Sequence, residues 1–255
     1  MRIIISPAKK MNVDTDFLDY QQLPQFVGDT EILLAYLKGL NYEQAKAIWK
    51  CNDKLAELNY ERIRKMDLHR NLTPAILSYE GIQYQHMAPG IFNMEEYSYI
   101  AEHLRILSGF YGILKPFDGV TPYRLEMQAR LQGDDLNSLY TFWGEKLAEQ
   151  IFAESHCIIN LASKEYSKCI SSYLKSNVRL VTCVFGEMVK GRVIEKGTQV
   201  KMARGEMVRY MAEKQIKDVE NIKEFDRLQY AFIERLSDEN RFVFVKGGVG
   251  DVTSR

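Results

Sequence analysis

The sequence predicts a mixed α/β (α+β) fold: one compact domain in which a mixed sheet is surrounded by helices. Three observations point there. Helical and strand-like patterns interleave along the whole chain. No linker, repeat or low-complexity tract divides it, so residues 1–246 read as a single domain. At 255 residues with 46% hydrophobic and 27% charged composition, one sizeable core can form without disulfide or metal staples. The order of elements departs from a regular βαβ alternation, so a standard doubly wound sheet is not expected.

The elements follow in order. Arg2–Ser6, with three consecutive isoleucines, reads as a buried strand. Residues 11–37 carry five acidic side chains and no Lys or Arg, which makes them a poor surface for nucleic acid. Within that stretch Asp29 or Thr30 can cap a helix reaching Lys38, with Gly39 as its stop. Residues 41–66 read as two helices, the second capped by Asn52 or Asp53. Ala75–Tyr79 and Ile82–Gln85 read as strands around Gly81. Asn93 caps a helix expected to run to about Ser108, because Ile100, Leu104 and Leu107 recur at helical spacing. Gly109–Pro122, rich in Gly and Pro, reads as loop and short strand. Asn137 or Ser138 opens a helix through Phe152. Cys157–Leu161 is a buried strand, Ser163–Leu174 a helix, and Val178–Phe185 a strand that turns back into Arg192–Glu195. Thr198–Gln215 is a helix, Tyr230–Leu236 and Arg241–Lys246 form a hairpin, and 247–255 is expected to be a flexible tail.

Charge and cysteine content narrow the function. Lys+Arg and Asp+Glu both number 34, so a wholly basic protein is excluded and any anionic partner must meet a local patch. The apolar start is too short for a signal peptide or spanning helix, and no later run reaches ~18 apolar residues, so a cytoplasmic protein without a membrane partner is expected. Cys51, Cys157, Cys169 and Cys183 form no C-x-x-C pair and match no zinc spacing. Neither a metal nor a cofactor is expected, and no hydrolase elbow or H-E-x-x-H motif is present.

Candidate binding residues fall in four segments. His103–Asp118 brackets an aromatic pair with Gly109 and Gly112, and Arg105, Lys115, Arg124 and Arg130 outnumber the local acids. Glycine permits close backbone approach of a phosphate and arginine offers a bidentate fork, although a structural turn with paired arginines reads equally well. In the 198–217 segment, Lys201, Gly205 and Arg209 lie opposite an apolar stripe, with Arg204 at its boundary. Gly205 costs a helix about 1 kcal/mol against alanine, so close approach of another backbone or of an anion is expected there. The Trp49–Ala56 turn, with Lys50 and Lys54, reads from its residues as an αα-corner. Ser6-Pro7-Ala8-Lys9 lies at a strand end, where Lys9 could meet a phosphate or serve as an activated amine. His69, His86, His103 and His156 are scattered.

Taken together, Ile5-Ser-Pro-Ala-Lys9, Asn52-Asp-Lys-Leu-Ala56, Leu104-Arg-Ile-Leu-Ser-Gly-Phe-Tyr-Gly-Ile-Leu-Lys-Pro116, Pro122-Tyr-Arg-Leu-Glu-Met127, Phe142-Trp-Gly144, Ile159-Asn-Leu-Ala-Ser163 with Glu165-Tyr166, and Lys201-Met-Ala-Arg-Gly205 resemble, in this order, the YaaA family. The likeness runs from Met1 to about Lys246. It implies a cytoplasmic bacterial protein of the peroxide response, linked to limiting free intracellular iron. It further implies one unusual α/β domain with a positively charged cleft and a helix-hairpin-helix, binding double-stranded or branched DNA without sequence preference. No catalytic reaction is implied. Carried onto this sequence, the hairpin falls near Trp49–Leu55 with Lys50, Asn52 and Lys54 facing phosphate, although Cys51-Asn52 stands where the family pattern has Ile-Ser. The cleft is expected to draw on Lys9, Arg105, Lys115, Arg124, Lys201, Arg204 and Arg209.

Two competing readings stay open. Lys9, Tyr123, Glu126 and Asn160 resemble the positioning groups of phosphoryl chemistry, which would make the chain an enzyme on a phosphorylated or nucleic-acid substrate. Direct iron handling ranks lowest, because four scattered histidines and four isolated cysteines make a poor ligand set.

Overall fold

Ile3, Ile4 and Ile5 are all fully buried, and this lack of alternation marks a strand covered on both faces. They form β1 (Arg2–Ile5). The structure is a computed structural model that describes residues 1–131 and 137–247; the predicted tail at 247–255 lies, apart from Gly247, outside them. After the short β2 (Lys10–Met11) come three helices, α1 (Val27–Gly39), α2 (Tyr42–Trp49) and α3 (Asp53–Lys65). Asn41 and Asn52 cap the second and third through hydrogen bonds accepted from Gln44 N and Leu55 N.

The next stretch departs from expectation. Between β3 (Thr73–Pro74) and β4 (Tyr79–Glu80) lies the single-turn helix α4 (Ala75–Ser78), followed by α5 (Ile82–Met87). Both segments had read as strands. They are too short to display a period, and α5 turns Gln83, Tyr84 and Met87 inward at helical spacing. Helix α6 (Met94–His103), closed by an Asn93 capping box, also stops early. The chain then enters β5 (Leu104–Ser108), a strand buried at all five positions. Leu104 and Leu107 imitate a helical repeat only because a doubly covered strand shows no alternation of its own.

Strands β6 (Gly112–Leu114) and β7 (Gly119–Val120) follow. The single helix expected through Phe152 is two, α7 (Leu139–Trp143) and α8 (Lys146–Glu154), broken where Gly144 adopts φ +50°. The remaining elements are β8 (Cys157–Leu161), α9 (Lys164–Ser171), β9 (Arg179–Val189), β10 (Arg192–Ile194), α10 (Gly197–Glu213), β11 (Tyr230–Phe232) and β12 (Arg241–Lys246).

The main sheet has the order β11-β12-β9-β8-β1-β5-β6, with β10 paired to β9. Its five inner strands, β12, β9, β8, β1 and β5, are mutually parallel, and β6, β10 and β11 add antiparallel pairings. The sheet is thus mixed as expected, but its parallel core is more regular than the sequence suggested. Irregular elements between β1 and β5 hide the crossovers. From β1 the chain crosses to β5 on one side and later returns to β8 on the other, with Ile5 level with both Ile106 and Leu161. Strand order therefore reverses at β1, and in parallel sheets ligands bind beyond the carboxyl ends of the strands at such a reversal. Among the described residues, no helix is long and apolar enough to cross a membrane.

One buried acid tunes stability. Asp118 is 1% exposed and accepts hydrogen bonds from Lys115 N and Gln22 Nε2, both at 2.8 Å. Burial lifts its carboxyl to about 6 against an ordinary 3.8, outweighing those bonds and the nearby Lys115 and Arg105 charges. The native state therefore holds this proton more tightly than the unfolded chain. Lowering the pH from 7 to 4 should stabilise the protein, relative to Asp118→Asn, by about 2–3 kcal/mol. Denaturant midpoints of both proteins across that range test it; a constant difference would refute it.

Candidate functional site

Beyond the carboxyl ends of β1 and β8 opens a cavity of ≈ 500 Å³. It is lined by the Ser6–Lys10 segment, by a wall of Glu80 and Gly81–Tyr84, and by Tyr123–Glu126, Ser163, Glu165, Tyr166, Lys201 and Arg204. Ser6 ties the two strand ends together: its Oγ accepts from Ser163 N at 2.8 Å and donates to Ser163 Oγ at 3.3 Å. Tyr84 OH donates to Ser6 O at 3.0 Å and fixes α5 over the same point. Ser163 sits at the N-cap of α9 without a side-chain cap, so that helix start is not closed by its own residue.

Two glycines that had suggested close approach of an anion are explained by the chain itself. A Cβ on Gly205 would stand 2.0 Å from Gln83 O and 3.0 Å from Met87 N. The glycine thus lets α10 lie directly on α5, carrying Lys201 and Arg204 to the rim. A Cβ on Gly109 would stand 2.5 Å from Leu125 O, so the backbone of the 125–127 segment occupies that space. Beneath the cavity a buried hydroxyl chain links Ser108 Oγ, Tyr123 OH (2.6 Å) and Tyr79 OH (2.8 Å). Burial pushes the Tyr123 phenol up to about 12.

The electrostatics are uneven. Lys9 Nζ and Arg124 share Glu126 Oε1 at 2.9 and 3.1 Å, and Lys10 pairs with Glu80 at 2.6 Å. Among the described residues Lys201 and Arg204 make no ion pair or hydrogen bond, and the Nε atoms of Arg124 and Arg204 are buried without a partner. Burial lowers the Arg204 guanidinium from its ordinary value while Glu195 pulls the other way; arginine stays charged regardless. Glu165 is raised, first by burial and further by the Glu126 charge, although Gln128 N donates to it at 3.3 Å. Five cationic side chains and three carboxylates thus share one concavity.

A family model described as peroxide stress protein YaaA matches residues 1–236. The chain belongs to that family. Similar proteins named UPF0246 protein occur in Lachnoclostridium phytofermentans (59% identical over 97% of both chains), Desulfitobacterium hafniense (56%, covering 96% of this chain and 98% of the relative) and Pediococcus pentosaceus (51%, again 96% and 98%). YaaA membership places the chain among peroxide stress proteins, in agreement with the sequence resemblance.

The expected site residues of this YaaA-family chain separate into two groups. Lys9, Arg124, Lys201 and Arg204, from three distant segments, converge on the cavity. Arg105 does not: it is 4% exposed, its Nε and NH2 donate to Glu154 Oε2 at 2.8 and 2.6 Å, and NH1 bonds backbone carbonyls, so it is a structural cation inside the sheet edge. Lys115 lies off the cavity at the β6 end, and Arg209 is paired with Glu213 at 2.7 Å. Lys50, Asn52 and Lys54 lie on the α2–α3 turn, away from the cavity lining. There Lys50 adopts φ 46°, Asn52 Oδ1 is used as the cap, and Lys46 pairs with Asp53. Asn160 is also occupied, by Thr182 and Ala162 N. Lys10, Glu80 and the α5 wall were missed; the unexplained cost of Gly205 in a helix was the available signal that another element crosses there.

Proposed function

We propose that this protein binds DNA, duplex or branched, by gripping phosphates without reading sequence, in service of the peroxide response. The observation that supports this is the convergence of Lys9, Arg124, Lys201 and Arg204 on one concavity of a chain with no net charge. Lys9 and Lys201 are exposed at its rim, where a backbone can reach them. Lys50 and Lys54, exposed on the α2–α3 turn, supply a second point of contact. Each phosphate neutralised contributes about 0.9 to the slope of log K against log salt. The Lys9→Gln/Lys201→Gln double variant should therefore flatten that slope by up to about 2 in mobility-shift titrations between 50 and 200 mM salt. An unchanged slope would remove both residues from the interface.

A second reading, an enzyme on a phosphorylated or nucleic-acid substrate, is favoured by one observation: Glu126 and Glu165 line the same cavity as Lys9. Product formation from incubated DNA or nucleotides would establish it. The link to limiting free iron we take as indirect. An iron site gathers His, Cys and carboxylates, and four scattered histidines and four isolated cysteines make a poor ligand set. Tight stoichiometric iron binding, followed by absorbance, would overturn that view.

A further inference from the structure

We propose that the cavity receives one nucleotide unit, its phosphate at Arg204 and the start of α9 and its base against the wall formed by Pro7, Ile82, Tyr84 and Tyr166. The inference rests on the DNA reading above and sharpens it. Three features of the cavity carry it.

The first is size. At ≈ 500 Å³ the cavity falls within the ~300–1,000 Å³ span of small-molecule sites. A volume of that order suits one nucleotide unit, while the exposed Lys9 and Lys201 are left to meet the adjoining backbone. The second is the set of donors. Arg204 is partly buried, has no acceptor among the described residues, and its Nε is sealed without a partner. The chain therefore holds a partly buried cation whose terminal nitrogens are not bonded internally, which leaves them free to grip a phosphate. Also at the cavity, α9 begins without a side-chain cap, with the Ser163 hydroxyl engaged by Ser6. The positive end of that helix and Arg204 thus border one space. The third is the remaining wall. Pro7, Ile82 and the edges of the mostly buried Tyr84 and Tyr166 line it together with the carboxylates of Glu126 and Glu165, a mix that suits the apolar ring and the N–H or O–H edge of a nucleoside. Gly205 locks this geometry, since α10 with Arg204 touches the backbone of Gln83, next to Tyr84.

Such a unit has two sources: a free nucleoside monophosphate, or a nucleotide swung out of a DNA duplex. Calorimetric titration with the four deoxynucleoside 5′-monophosphates and with inorganic phosphate separates nucleotide from anion. At least one nucleotide should bind about tenfold or more tighter than phosphate. Arg204→Gln should weaken it about tenfold, and the exposed Lys201→Gln, which leaves the fold intact, several-fold. Lys175→Gln, at an exposed position outside the cavity lining, should leave it unchanged. The second arm uses duplexes with one unpaired 2-aminopurine; a change in its emission on binding, absent when the same base is paired, marks the swung-out source. Nucleotide binding without that change supports the cavity and assigns it to free nucleotide. Equal affinity for inorganic phosphate, or neither nucleotide binding nor an emission change while duplex DNA still shifts, overturns the nucleotide site and leaves DNA binding standing. Loss of both signals sinks the two proposals together.

Discussion

Replacing Glu154 with alanine should destabilise the protein by about 3–5 kcal/mol, because it leaves a buried guanidinium without its counter-charge. Glu154 Oε2 accepts from Arg2 Nε at 2.7 Å and from Arg105 Nε and NH2 at 2.8 and 2.6 Å, while Gln150 bonds Oε1 at 2.9 Å. Arg105 is 4% exposed, so water cannot replace the missing partner. Burial alone would raise the Glu154 carboxyl, but the bonds from Arg105, Gln150 and Arg2 outweigh it and leave the group below its ordinary value. The stability it adds is therefore present above the unfolded carboxylate range near pH 4.3 and is lost as the pH falls through the lower native value. Urea denaturation at pH 7 should show the full loss and a Tm lower by roughly 10 °C. A loss below 1 kcal/mol would mean that Arg105 finds another acceptor.

Gly205→Ala should cost about 3 kcal/mol or more, the reverse of the gain a helix normally draws from that exchange. The new methyl would press into Gln83 O at 2.0 Å, a backbone atom that cannot rotate away. Helices α10 and α5 must separate, and Arg204 moves with α10. Thermal melts should show the destabilisation, and DNA affinity should fall at temperatures where the variant is still folded. A variant as stable as the parent would show that the two helices are not held in contact.

Much of this architecture could be read from residues. The largely apolar runs of β1 and β8 and the stripe of α10 declare themselves, because long or mostly buried segments leave strong patterns. The failures have physical causes. Segments of four to six residues, such as α4 and α5, carry no period, and β5 is buried on both faces, so Leu104 and Leu107 fall at a helical interval by chance. For the site, the basic residues beside Gly205 and Pro122 were visible as a group, but which of them meet was not. Arg105 belongs to the same charge cluster in sequence as Arg124 yet serves Glu154, since pairing across 49 residues is decided by packing alone. Lys10 and Glu80 escaped notice for the same reason: their pairing spans 70 residues through the two-residue ribbon β2–β4.

The strand order has a consequence for how the molecule is made. β1, made before every other strand of the sheet, lies between strands that begin about a hundred and more than a hundred and fifty residues later, at Leu104 and Cys157. β12, near the far end, lies between β9 and β11. The β5–β6 flank and the β8–β9 step can add in chain order once Leu104 and Cys157 have emerged, but β11 cannot join the sheet until β12 has paired with β9. Completion of the sheet must wait for Arg241–Lys246 to emerge, and pairings between strands a hundred or more residues apart imply slow folding that commits late.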